Sequence, residues 1–411
     1  MESPPSNQRI QGFLVLLAGT LTMVAAYGFA RYSVPVILPY MRDALGAGYG
    51  HMGMIVTANN TGYVVSSFTG GFLGARFGPR RVISASLACA GLATFATGFS
   101  PSIEFAIVMQ FLAGLTAGGA VIPSIGLIAE WFEPRKRGVA TGVMVGGFPL
   151  GILLSSLFLP VILTGLGEGA WRYCWMILGV LVVLLAVVDL VIVRDRSPGP
   201  RPDGAPAGGS PVQAPPLRWG LVYKSRSVWL MCAINITIGF GMGIFTTFFV
   251  AYLVDQRGLS APEAAQAWSM VGLFGLGSGL LWGYISDKLG RRFGLAACYY
   301  GYFLALAILT FVPLPAAGFV AGALAGLTIT GGMAVFAALL GDTVGPRLAA
   351  AGFGLISFFF NIGQVVSPPL AGAIIDLTGS FAASLIAATV FCFLSASLCL
   401  LLRPPRMQDA L

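Results

Sequence analysis

The sequence predicts an all-α membrane protein: twelve transmembrane helices in two pseudo-symmetric six-helix bundles. Three observations predict it. The 411 residues are 57% hydrophobic and only 9% charged, whereas a soluble domain carries roughly 25% charged residues; most of this surface must be solvated by lipid. The chain also repeats itself. Gly78 and Gly290 stand 212 residues apart, and Leu112-Ala113-Gly114-Leu115-Thr116 returns at the same offset as Leu324-Ala325-Gly326-Leu327-Thr328. Pro134-Arg135 returns as Pro346-Arg347, Gly142 as Gly354 and Gly151 as Gly363, so one half is written twice. Lastly, the basic residues gather in every second connection between the apolar runs.

A span needs about 20 mostly apolar residues. Candidates run roughly over 12–40, 52–74, 82–99, 104–129, 139–163, 171–193, 227–252, 264–286, 293–311, 315–341, 351–375 and 379–402. Irregular backbone facing lipid leaves N–H and C=O groups unpaired, so each span is expected to be helical. The first follows a short polar stretch, Met1 to Gln11. It is too long for a signal-peptide core and has no small-residue cleavage site, which makes it a retained helix. Glycine–basic stretches close the second and eighth spans. Between the sixth and seventh lies Ser197 to Pro216, with seven Pro, four Gly and almost no bulky apolar side chain. It cannot bury enough to order itself and reads as a linker. The expected division is a first bundle over 1–193, a linker over 194–226 and a second bundle over 227–411. Six spans is an even number, so the bundles share one orientation, as parallel repeats about the membrane normal.

With the N-terminus in the cytoplasm, the inner segments hold nineteen of the 23 Lys and Arg residues; the outer loops hold only Arg42, Arg172 and Arg257, and Arg31 lies within a span. This asymmetry is the positive-inside pattern. It places both termini in the cytoplasm, with an inner membrane as the expected location. It also explains the formal net charge of +8 without nucleic acid as a partner. Cys89, Cys174, Cys232, Cys298, Cys392 and Cys399 all fall in apolar runs with no CxxC spacing, so they read as core residues and not as metal or redox sites. A single histidine, His51, allows no nucleophile–base set, and no phosphate-cradling loop is present. The chain reads as a non-enzyme with no cofactor and no metal.

The stretch Gly283-Tyr284-Ile285-Ser286-Asp287-Lys288-Leu289-Gly290-Arg291-Arg292 resembles the signature loop of the major facilitator superfamily, secondary transporters of twelve spans. The pattern is Gly, three residues, Asp, a basic residue, any residue, Gly and two basic residues. The first-half copy, Gly71 to Arg80, keeps Gly71, Arg76, Gly78 and Arg80 but has Ala75 at the acid position and Pro79 at a basic one. The segment Trp131 to Gly142, followed by Gly146-Gly147-Phe148-Pro149-Leu150-Gly151, is similar to the approach to the fifth helix in bacterial monocarboxylate and oxalate-type facilitators. The resemblance implies transport by alternating access between the bundles, with the two loops as a conformational latch. Asp287 would accept from a cation across the turn or cap a helix of the other half.

Arg31, in Tyr27-Gly28-Phe29-Ala30-Arg31-Tyr32, stands about nineteen residues into the first span and about nine from its outer end. A cation there costs at least a few kcal/mol and normally faces a bundle interior or a wet cavity. Nine helical residues span ~13 Å, long for a snorkelling Arg; a structural Arg bonded to carbonyls near Pro35 is the other alternative. Asn59 and Asn60 of the second span lie at the same depth, with Tyr63 one turn on; one is expected in a cavity and the other between helices. Asn361 and Gln364 share a face of the eleventh span, and Tyr27 completes the expected binding set. No Asp or Glu falls in the middle third of any span. Asp189 is placed near the inner end of the sixth. A buried Arg without an acid suits an organic anion such as a monocarboxylate, since Arg grips carboxylates bidentately. Protons are a candidate coupling ion and a monomer is the expected state. The rival is an exporter of amphipathic drugs or metabolites, with a cavity lined by residues such as Phe240, Phe245, Phe358 and Phe359.

Overall fold

The computed structural model describes residues 6–167, 169–193, 223, 225–344 and 346–402, with the side chains of 6–9, 68, 129, 134, 135, 346, 347 and 349–351 excepted. Most of the expected linker lies outside these residues. The helices are α1 Ser6–Met23, α2 Val34–Leu45, α3 Tyr49–Phe77, α4 Pro79–Thr97, α5 Ile103–Trp131, α6 Pro134–Val145, α7 Gly147–Gly165 and α8 Ala170–Ile192 in the first half. The second half has α9 Arg226–Asp255, α10 Ala261–Gly275, α11 Ser278–Leu289, α12 Arg291–Phe311, α13 Ala316–Ile329, α14 Gly331–Val344, α15 Pro346–Thr378 and α16 Ala382–Cys399. A π-helical segment, Val24–Phe29, joins α1 to α2.

Nine stretches among the described residues are long and apolar enough to cross a membrane, and α10 with α11, bent by 49°, makes a tenth. The helices α3 and α4 complete the expected twelve. The mean hydropathy of α3 is lowered by polar groups that bond inside the protein: Thr57 donates to the carbonyl of Val365, and Asn60 to that of Gln364. A polar side chain so satisfied does not need water. On the outside, side chains such as Val161, Val191 and Leu377 stand exposed, an apolar belt suited to lipid.

The repeat extends to backbone angles. Gly78, between α3 and α4, has φ 87° and ψ 138°; Gly290, between α11 and α12, has φ 89° and ψ 146°. Only glycine adopts that region readily, which is why both copies of the signature loop keep it. The breaks are not repeated. In the first half the helix breaks fall at the π segment and at Gly146; in the second they fall at 276–277 and at Thr330.

Within the first bundle α5 packs along α3 and α4, and α4 along α8; within the second, α9 packs along α15 and α16, and α12 along α16. The bundles meet where α3 lies on α15, α7 on α10 and α2 on α9. Glycines allow this approach: a Cβ on Gly372 would stand 2.3 Å from the carbonyl oxygen of Tyr49, and one on Gly53 2.4 Å from that of Pro368. At the same end of the seam Arg42 Nη1 pairs with Asp255 Oδ2 at 2.7 Å, and the Tyr49 hydroxyl donates to the same oxygen. Asp376 of α15 caps α3, accepting from the N–H groups of Tyr49 and Gly50 at 2.7 and 2.8 Å. Further bonds between the bundles run from Thr57 and Asn60 of α3 to α15 and from Trp268 Nε1 of α10 to the Tyr32 carbonyl at 3.2 Å.

Candidate functional site

The site is built around a distortion of the first span. The N–H of Ala30 donates to the carbonyl of Ala25 and that of Tyr32 to Tyr27, five residues back instead of four, so the helix is widened at this point. Gly28 makes room for it: a Cβ there would stand 2.3 Å from the Cα of Gly151 in α7. The widened turn leads directly to Arg31.

Arg31 is only 8% exposed. Its Nε donates to Asn60 Oδ1 at 3.0 Å and its Nη2 to Gln364 Oε1 at 3.1 Å. Asn60 Nδ2 in turn donates to the Gln364 carbonyl at 3.0 Å. One cation is therefore held by α3 of the first bundle and α15 of the second. The rings of Tyr63, Tyr32 and Tyr27 lie 4.7, 5.4 and 5.5 Å from its guanidinium carbon, and Phe148 packs against Tyr27 and Tyr32. The Tyr27 hydroxyl donates to that of Tyr63 at 2.6 Å.

Amide oxygens and aromatic faces stabilise a guanidinium but do not neutralise it. No carboxylate pairs with Arg31 among the described residues. Its Nη1 makes no hydrogen bond there. Gln364 Nε2, beside it, is an enclosed donor without a partner. The site thus presents N–H donors and a net positive charge, the arrangement that accepts two oxygens of one anion.

Of the expected site residues, Arg31, Tyr27, Asn60, Tyr63 and Gln364 come together. Asn59 does not join them. It donates to Gln110 Oε1 at 2.9 Å and to the Ala30 carbonyl, and Gln110 donates on to Thr97, a chain that ties the first four spans together. Asn361 bonds back to the Ser357 carbonyl of its own helix at 2.8 Å. Tyr32 and Phe148 belong to the cage but were not among the expected residues. Tyr32 stands next to Arg31 in sequence, which on an undistorted helix points it elsewhere; Phe148 carries no signal among the 29 phenylalanines. Asp189, placed near the inner end of the sixth span, is fully buried and bonded to Thr22.

The signature loops make other contacts. Asp287 pairs with Arg291 at 2.5 Å, and Arg291 also reaches Asp342 at 3.3 Å, all within the second bundle. Lys288 lies over the Tyr284 ring and Arg292 over that of Phe293. Arg76 lies over Phe77, and Arg80 Nε donates to the Leu190 carbonyl at 2.8 Å. Around Gly71 and Gly283 there is room for a side chain, so neither is required by close packing.

The chain is similar to a probable sulfoacetate transporter of Cupriavidus necator, 23% identical over 91% of this chain and 90% of the relative. It is 25% identical to a hexuronate transporter of Bacillus subtilis over 91% of each chain. An oxalate:formate antiporter of Oxalobacter formigenes is 28% identical over 83% of this chain and 79% of its own length. In fold it matches a crystal structure of a bacterial homologue of the lysosomal transporter Spinster, inward-facing and unoccupied, with TM-score 0.77, 18% identity and 98% of each chain covered. The family model for the Major Facilitator Superfamily matches residues 20–320 and 280–410. The twelve spans, the duplicated loop and these matches together identify a multi-pass membrane transporter, not an enzyme, and the chain belongs to the major facilitator superfamily.

Proposed function

We propose that this protein is a secondary active transporter of a small, monocarboxylate-like organic anion, working by alternating access across an inner membrane with both termini in the cytoplasm. One observation carries the reading: Arg31 is a buried guanidinium held by neutral groups from both bundles, with donor capacity left over and, among the described residues, no acid paired with it. An anion supplies the missing charge, and by bonding to groups of both bundles it favours a state in which they close around it. The names of the relatives, which concern sulfoacetate, hexuronate, and oxalate with formate, support an organic acid. Seam contacts gathered at one end of the molecule support a state closed on that side. The basic residues facing the other side support its being the cytoplasmic one.

In this reading the signature loops, with Asp287, Lys288, Arg291 and Arg292 in one copy and Arg76 and Arg80 in the other, form the latch of the opposite state, and Asp287 exchanges its contact with Arg291 as the bundles rock. The unit is a monomer of two bundles, 1–193 and 227–411. The test is counterflow in proteoliposomes with sulfoacetate, glucuronate, oxalate, formate and lactate, alongside the hydrophobic cation ethidium. Saturable exchange of one of the acids, lost in Arg31→Ala, is expected. Transport of ethidium with none of the acids would favour the drug-exporter reading instead.

A further inference from the structure

Asp189 stands three residues before the end of α8, fully buried, with its side chain against the last turn of α1. Thr22 Oγ1 lies 2.7 Å from Asp189 Oδ2 and 3.1 Å from the carbonyl oxygen of Ala18, one turn back. The other carboxyl oxygen, Oδ1, is enclosed and has no partner. No cation pairs with this carboxyl among the described residues.

A threonine hydroxyl carries one hydrogen. If Asp189 is ionised, that hydrogen must turn to Oδ2. The Ala18 carbonyl then loses the hydroxyl bond, Oδ1 keeps none, and a full charge is left in a low-dielectric interior with one neutral donor. If Asp189 carries a proton on Oδ2, its O–H donates to Thr22 Oγ1 and the Thr22 hydrogen passes to Ala18. Every hydrogen then has an acceptor and no charge is buried. The contact is complete only in the protonated form.

The surroundings connect this proton to both moving parts. Thr22 stands two residues before the π segment that sets Arg31 in place. One residue beyond Asp189, the Leu190 carbonyl accepts from Arg80 of the first signature loop. The other titratable or charged side chains on helices packed against α8 are Arg81 and Cys89 on α4, Tyr27 on the π segment, and Tyr40, Arg42 and Asp43 on α2; α7 has none, and Arg9 of α1, thirteen residues before Thr22, has its side chain outside those described. Of these only Arg80 bonds to the same turn of α8, and it does so through the backbone.

We propose that Asp189 is a proton-binding site whose protonation holds α8 to the last turn of α1, so that release of the proton frees the segment carrying Arg31 and shifts the balance between the two access states. The site binds one proton per protein and needs no other ligand. The proposal deepens the transporter reading and rests on it, but its test does not depend on which anion is carried.

Difference infrared spectroscopy of the purified protein, titrated with acid, is expected to show an enclosed carboxylic-acid band. Asp189→Asn should lack that band, and Thr22→Val should shift its frequency. Spin labels at Lys136 and Leu289, on the signature-loop side of the two bundles, read the access state by electron–electron resonance. In the parent chain the distance distribution should change as pH rises. In Asp189→Asn it should stay at the parent's low-pH form at every pH. Absence of the band from the parent protein, or an unaltered pH response in Asp189→Asn, overturns the proposal. Should Asp189→Asn fail to fold, Thr22→Val decides: a band unmoved by loss of its hydroxyl partner also overturns it. Failure of every acid in the counterflow panel, with these responses intact, would instead strike the organic-anion reading alone.

Discussion

At the scale of the residue, the argument turns on what a guanidinium can do that an ammonium cannot. Arg31 bonds to Asn60 and Gln364 with two of its nitrogens and still has N–H groups to offer. Lysine keeps the charge but has no planar fork. Hydrogen bonds to charged groups contribute about 1.5–3 kcal/mol each, so loss of two to a bound carboxylate weakens affinity by about a hundredfold or more. Arg31→Ala is therefore expected to abolish counterflow at ordinary substrate concentrations, and Arg31→Lys to lose at least about tenfold in affinity by ligand-induced thermal shift. Full activity of Arg31→Ala with unchanged membrane yield would contradict the anion site. Asn59→Leu and Asn60→Leu should differ: the first breaks ties among the first spans and lowers stability, whereas the second weakens substrate affinity more than stability. Arg31 was legible in the sequence because a lone cation inside a span has few physical explanations. Tyr32 was not, because the five-residue bonds of the π segment rotate the cage residues by an amount no periodicity foretells. The distinction between Asn59 and Asn60 was foreseen as a division of labour, but adjacent residues of one type gave no means to assign it.

At the scale of the element, the broken helices explain where the site could form. The existence of twelve spans could be read from hydropathy because lipid demands long apolar helices. The interruptions at 24–33, 146, 276–277 and 330 could not, since 56 glycines offer breaks in nearly every span and tertiary packing selects among them. Gly28 and Gly151 mark one selected place, each within 2.5 Å of where the other's Cβ would stand. Gly28→Leu cannot be accommodated by a side-chain rotation, because the obstacle is backbone. Overpacking costs typically 1–3 kcal/mol, so a fall in the detergent unfolding temperature is expected, together with loss of transport. An unchanged unfolding temperature would mean the widened turn does not depend on this contact. The start of α3 offers a second test. Asp376 satisfies two N–H groups of a helix in the other bundle, and a capping carboxylate contributes about 1 kcal/mol. Asp376→Ala should therefore favour separation of the bundles at this end by roughly fivefold, measured as faster thiol labelling of a cysteine introduced at Tyr49. No change in labelling rate would remove the cap from any account of gating.

At the scale of the whole molecule, the seam between the bundles combines an enclosed part and a part suited to opening. Near its middle lie the bonds of Thr57 and Asn60 to α15. At the end remote from the signature loops stand Arg42 with Asp255, partly exposed to solvent at side-chain accessibilities of 15% and 25%. Two sequence neighbourhoods 213 residues apart meet there, a contact no reading of single spans could locate. Such a pair is worth only about 0.2–1 kcal/mol when exposed, and the Tyr49 hydroxyl on Asp255 adds a hydrogen bond of about 1 kcal/mol. Together they are far too weak to fix a fold, yet they are the right size to bias two states of nearly equal energy, since 1.4 kcal/mol is a factor of ten. Asp255→Asn should therefore leave the unfolding temperature almost unchanged while raising the outward-open population several-fold, read by spin labels on the outer ends of α2 and α9. Arg42→Gln should produce the same shift, and the double variant should add little, because both substitutions remove one shared interaction. Fully additive shifts would show that Arg42 and Asp255 act through separate partners and that the pair is not the outer gate. Raising the salt concentration should mimic the variants in the parent chain and leave the double variant unmoved, because screening acts on the charge pair and not on the apolar seam beneath it.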